Sequence, residues 1–176
     1  MGAAEAILED DGSLYELAAM VVGAAADAGL TVGCAESCTG GLVCGCLTAV
    51  PGSSSAVRGS VVSYAIPVKH EVLGVSNEDV LEVEGLGAVS AECAAQMAEG
   101  ARRVLGCDVA VSVTGIAGPQ GEEPGKPVGT VWFGLAAPKG TLTRSELFPG
   151  GRAEVRRAAC EKALRLLYEG IVETRA

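Results

Sequence analysis

The chain has 176 residues, 49% of them hydrophobic, only 3% aromatic and 20% charged, with a formal net charge of −9. This size and composition predict one globular domain over residues 1–176 with its own core and exclude a disordered chain, which would be less hydrophobic. The acidic balance excludes nucleic acid as a default partner, because no Lys or Arg excess exists to release counterions, whereas a small anionic ligand needs one local positive site.

The N-terminus, Met1-Gly2-Ala3-Ala4-Glu5, has no basic region, and no signal peptide is expected. Ser13-Leu14-Tyr15-Glu16 reads as a capping box, with Leu14, Leu17, Val21 and Ala25 at helical spacing and Gly29 as the stop. A short buried strand over Leu30 to Ala35 leads into Glu36-Ser37-Cys38-Thr39-Gly40-Gly41, followed by a helix over Gly40 to Val50. Pro51-Gly52-Ser53-Ser54-Ser55 is a loop, Gly59 to Ala65 alternates like a strand, and Pro67 opens a helical turn closed by Gly74. Ser76 and Ser90 read as N-caps, the second of a helix reaching Leu105. Cys107 to Thr114 is a buried strand, and Gly115 to Pro127 is a long loop. Val128 to Ala137 and Thr141 to Phe148 form a hairpin around Pro138-Lys139-Gly140, and Arg152 to about Thr174 is the last helix. Strands alternating with helices predict an α/β fold with both sheet faces covered and one antiparallel hairpin. No apolar run is long enough to span a membrane.

Seven cysteines stand at 34, 38, 44, 46, 93, 107 and 160, without a C-x-x-C pair, and His70 is the single histidine. A zinc site is therefore not expected, and reduced thiols of a cytoplasmic protein are the simplest reading. Chemistry concentrates elsewhere. Ser37-Cys38-Thr39-Gly40-Gly41 leaves a strand and enters a helix, where a ligand or oxyanion meets free N–H groups; the same residue types also make a plain cap and tight turn. Neither the Walker nor the dinucleotide glycine pattern is present. Tyr64 and Lys69 can form a proton relay, although alone the pair reads as an exposed tyrosine and a solvated lysine. Ser112-Val113-Thr114-Gly115-Ile116-Ala117-Gly118-Pro119 is a second strand exit of small residues that lets backbone approach a ligand. Arg152 opens the last helix, where a cation opposes the macrodipole unless it serves a phosphate, while Arg156 and Arg157 read as a solvated basic face.

Together, Ala35-Glu36-Ser37-Cys38-Thr39-Gly40-Gly41, Ser60-Val61-Val62-Ser63-Tyr64 with Lys69, Leu73-Gly74-Val75, Thr114-Gly115-Ile116-Ala117-Gly118-Pro119, Lys126-Pro127-Val128-Gly129-Thr130-Val131 and Gly151-Arg152 with Arg156 resemble the CinA C-terminal domain family, the nicotinamide mononucleotide deamidases also called PncC. The resemblance spans Leu14 to about Leu167. It implies a three-layer α/β/α fold with a mixed, mostly parallel sheet. It also implies hydrolysis of the carboxamide of nicotinamide mononucleotide, with neither metal nor organic cofactor. Ser37 becomes the nucleophile, activated by Tyr64 and Lys69, and Thr39, Gly40, Gly41, Thr114, Gly115, Gly118 and Arg152 become substrate contacts. A homodimer is implied, and the chain resembles the stand-alone members rather than those with a larger preceding domain. Ala65-Ile66-Pro67-Val68 departs from the polar turn common after this tyrosine. Cys38 has no evident base, so the residues favour Ser37, with Thr39 capping the helix. The rival readings are a pyridine-nucleotide-binding module without turnover and a purely structural partner domain.

Overall fold

The computed structural model describes residues 12–175, so the opening stretch Met1-Gly2-Ala3-Ala4-Glu5 lies outside it. The elements in chain order are α1 (Ser13–Ala28), β1 (Val32–Glu36), α2 (Leu42–Thr48), β2 (Val57–Val62), α3 (Ile66–Glu71), α4 (Ala91–Leu105), β3 (Val109–Gly115), β4 (Thr130–Ala137), β5 (Gly140–Leu147) and α5 (Arg152–Arg175). The five strands form one sheet in the order β2-β1-β3-β4-β5. β1 pairs in parallel with β2 and β3, and β4 is antiparallel to both β3 and β5, so only β4 runs against the other strands. The mixed, mostly parallel α/β/α expectation holds.

The two faces of the sheet differ because residues alternate across it. Val109, Val111 and Val113 of β3, with Val131, Phe133 and Leu135 of β4, face the core shared with α1, α2 and α5. The opposite face carries Ala110, Ser112, Thr114, Gly134 and Ala136, small enough for α4 to lie directly on it. A Cβ at Gly134 would collide with the backbone carbonyl of Ala94, so this glycine sets the approach of α4. The buried Ser112 hydroxyl donates to the Ala94 carbonyl and accepts from the Gly134 N–H, joining helix to sheet without leaving a buried polar atom unpaired.

Local chemistry moves some boundaries. The N–H of Leu30 is still bound to the carbonyl of Ala25, so β1 starts at Val32 rather than at Leu30. Gly40 and Gly41 have φ of 62° and 96°, a left-handed turn that only glycine adopts freely, so α2 starts at Leu42 rather than at Gly40. β2 ends at Val62 because Ala65 is already the N-cap of α3. Ser76 and Ser90 do cap, accepting from the N–H groups of Asp79 and Cys93. Ser13 does not: Gly12, at φ 90°, is the N-cap of α1, and the Ser13 hydroxyl accepts from Arg157 at 3.1 Å.

Candidate active site

β1 lies between β2 and β3, and the chain leaves its carboxyl end at Ser37. The N–H of Ser37 donates to the carbonyl of Val113, and the N–H of Ser63 donates to the carbonyl of Glu36. Three strand ends are thereby fixed together at the crevice where an open α/β sheet binds ligands. Here a cleft of about 280 Å³ is lined by Ser37, Tyr64, Lys69, Thr114, Gly115 and Arg152, with Ile66, Val89 and Ala117 as apolar wall. Pockets for small ligands start near this size.

Lys69 dominates the site. Pro67 starts α3, and the short helix turns Lys69 inward until it is only 1% exposed. Its Nζ donates to Ser37 Oγ at 3.0 Å and to the carbonyl of Ser63. No carboxylate pairs with it among the described residues, and burial pushes its pKa below the ordinary 10.5. A buried, unpaired amine touching a hydroxyl can take that hydroxyl's proton. The residue-level expectation of a solvated lysine is therefore corrected. The apolar turn Ala65-Ile66-Pro67-Val68 does not displace Lys69 from Ser37.

Tyr64 is 63% exposed at the rim, as the residue alone suggested. Its hydroxyl accepts a long hydrogen bond, 3.4 Å, from Arg152 rather than bonding Ser37 or Lys69. The other Arg152 arm donates to the carbonyl of Gly118 at 3.0 Å. Cys38 is buried, and desolvation raises its thiol pKa from 9.0 to about 11, so it is a poor thiolate.

The expected substrate contacts separate into two groups. Thr114, Gly115 and Arg152 line the cleft, with Thr114 Oγ1 held by the carbonyl of Ala88, and Gly118 adjoins it through Arg152. Thr39, Gly40 and Gly41 do not line it. The N–H of Gly40 donates to the carbonyl of Ser37, and that of Gly41 donates to Glu36 Oε2 at 2.9 Å. Thr39 Oγ1 is buried without a partner and caps nothing.

Glu36 caps α2 instead, a role the sequence reading missed. Its carboxylate, fully buried, accepts from the N–H groups of Gly41, Val43 and Cys44 and from Ser60 Oγ. A carboxylate therefore already occupies the helix N-terminus that a substrate anion would seek. The signal was an acid directly before the small-residue turn, but capping by a residue five positions upstream has no standard spacing. Arg156 was missed too. It is not a solvated cation but donates to the carbonyls of Cys38 and Thr39 at 3.1 and 2.8 Å, pinning the Ser37 loop from α5. Lys126 lies outside this cleft, with Nζ bonded to Glu123 and to the carbonyl of Leu86. His70, exposed, bonds the carbonyl of Val75. Among the described residues no three potential ligands gather as a metal site, and no helix is long and apolar enough to cross a membrane.

The sequence profile of the CinA C-terminal domain matches residues 14–171. A CinA-like protein of Frankia casuarinae is 49% identical over 86% of this chain and 34% of its own length. A CinA-like protein of Anaeromyxobacter dehalogenans is 48% identical over 86% of this chain and 36% of its own. The chain thus spans about a third of the length of these curated relatives. The crystal structure of the competence/damage inducible protein CihA from Agrobacterium tumefaciens superposes with a TM-score of 0.84 at 42% identity, covering 89% of this chain and 94% of that one. A CinA superfamily protein from Klebsiella pneumoniae gives 0.85 at 33% identity, covering 91% and 98%.

Proposed function

The chain belongs to the CinA C-terminal domain family, and on that premise we propose that it is an amidohydrolase converting nicotinamide mononucleotide to nicotinate mononucleotide and ammonia. One observation carries this reading: the buried amine of Lys69, without a carboxylate partner among the described residues, lies 3.0 Å from Ser37 Oγ inside a cleft.

In this reading neutral Lys69 takes the Ser37 proton as Oγ attacks the carboxamide carbon. The oxyanion lies toward the N–H group of Cys38, which lines the cleft and donates to no other residue among the described residues. One such donor is worth roughly 10²–10³ in rate. Tyr64, accepting from Arg152, keeps its own O–H free to donate. It protonates the leaving nitrogen and is reprotonated with the proton that Lys69 took from Ser37, so that ammonia departs, an ester to Ser37 remains and Lys69 is neutral again. Water, deprotonated by Lys69, then hydrolyses the ester. Arg152 reads the phosphate: its 3.4 Å bond to Tyr64 is weak enough to yield to a dianion, which the acidic chain otherwise repels. This remote contact orients the amide against Ser37. The reaction needs no metal or organic cofactor, and the reading includes a cytoplasmic homodimer.

The test is ammonia and nicotinate mononucleotide production by the purified chain from nicotinamide mononucleotide. Both products should appear in equal amounts. A ligand-induced rise in melting temperature without either product would instead favour the binding module.

A further inference from the structure

Two sulfurs meet away from the Ser37 cleft. Cys46, half-buried on α2, and Cys160, fully buried on α5, have Sγ atoms 3.8 Å apart although they are 114 positions apart in the chain. None of the seven cysteines is in a disulfide. Cys44, two residues earlier on α2, makes no such sulfur contact among the described residues. No metal-binding cluster among the described residues accounts for the pair.

We propose that Cys46 and Cys160 are a built-in oxidation site that closes to an intramolecular disulfide clipping α2 to α5. A disulfide needs its sulfurs about 2.05 Å apart, so closure asks for an approach of about 1.8 Å. Side-chain rotation and a small shift of α2 can supply it, because α2 is only seven residues long and an exposed turn follows it. The two thiols have unequal roles. Cys46 is the one solvent reaches, so it attacks first. Cys160 is buried, and the hydrogen bond to Cys46 and desolvation raise its thiol pKa above the ordinary 9.0, so it resolves second.

With a small-molecule disulfide such as oxidised glutathione, the Cys46 thiolate attacks one sulfur and releases one glutathione thiolate. The Cys160 thiol then loses its proton to water and attacks Cys46 Sγ, releasing the second glutathione. Two protein thiols are oxidised and one external disulfide is reduced. The clip ties the helix behind the Ser37 loop to the helix whose Arg156 pins that loop. A cross-link closing so long a stretch of chain stabilises mainly by restricting the unfolded state.

The test treats the folded protein with oxidised glutathione, removes the reagent, and counts thiols in denaturant. Thiols should fall from seven to five. Peptide mapping should join the α2 and α5 peptides. The melting temperature should rise by at least about 5 °C. Cys46→Ser should keep its remaining six thiols and show no rise. The proposal is overturned if all seven thiols survive, if glutathione stays attached to single cysteines, if another pair is joined, or if cross-linking requires prior unfolding. Mapping on the unsubstituted protein keeps the result decisive even if Cys46→Ser or Cys160→Ala folds poorly. None of these readouts depends on the amidase reading.

Discussion

At the scale of single residues, everything turns on Lys69. Nothing in its neighbours in sequence distinguishes it from a surface lysine. It becomes buried because a proline-started helical turn rolls it under the ends of β1 and β2, which no local pattern reveals. The family resemblance supplied the pairing with Ser37, 32 positions away, that residue types alone did not. In the proposed reaction the neutral amine is the working form, so kcat/KM should rise with pH through a base whose pKa lies below 10.5. Lys69→Ala should lower kcat by about 10²–10⁴ and abolish that rise. A pH profile unchanged in Lys69→Ala would remove it from the reaction. Arg152 was legible as a cation placed against its own helix dipole, and it does stand at the cleft. Arg152→Ala should raise KM for nicotinamide mononucleotide at least tenfold while changing kcat/KM for nicotinamide riboside, which lacks the phosphate, little. An equal penalty on both substrates would show that Arg152 does not read the phosphate.

At the scale of elements, α2 is the instructive case. Its approximate position was legible, but its start was set by two left-handed glycines and its cap by Glu36, a residue of the preceding strand. A carboxylate reaching forward five to eight positions is a tertiary event, visible only once the turn is drawn. Removing it strands three backbone N–H groups next to the nucleophile loop. Glu36→Ala should therefore cost about 3 kcal/mol in urea unfolding, because each buried unsatisfied group costs roughly 1–3 kcal/mol and water relieves some of them. Ser60→Ala, which removes one donor to the same carboxylate, should cost about 1 kcal/mol. Equal losses in the two variants would mean that the carboxylate is not the cap. α5 shows the reverse limit. Its span was legible to within a residue, yet the side of it that matters, Arg156 against the Cys38 and Thr39 carbonyls, requires knowing which loop it faces.

At the scale of the whole molecule, the alternation of strands with helices along the chain announced two covered faces, and the hairpin announced an antiparallel edge. The strand order β2-β1-β3-β4-β5 was not legible, because it depends on which side of β1 each crossover takes. Burial of many ionisable groups makes global stability depend on pH in two opposed ways. Cys38, Cys93 and Cys107 have thiols raised from 9.0 to about 11, so they contribute stability fully below pH 9 and lose it as pH rises through 11. Lys69 is lowered by burial, so the unfolded chain binds its proton more readily, and stability from this group rises with pH up to its ordinary 10.5. Urea unfolding should show stability falling between pH 9 and 11, more steeply in Lys69→Met, which lacks the opposing contribution. A shallower fall in that variant would contradict the burial of a charged-form-averse Lys69. The whole arrangement has meaning only if Ser37, rather than the thiol beside it, does the work. The most direct measurement is the rate of ammonia release from nicotinamide mononucleotide by the unsubstituted chain, Ser37→Ala and Cys38→Ala side by side. The account predicts release by the first, none by Ser37→Ala, and most of the rate retained in Cys38→Ala; retention in Ser37→Ala with loss in Cys38→Ala would contradict it.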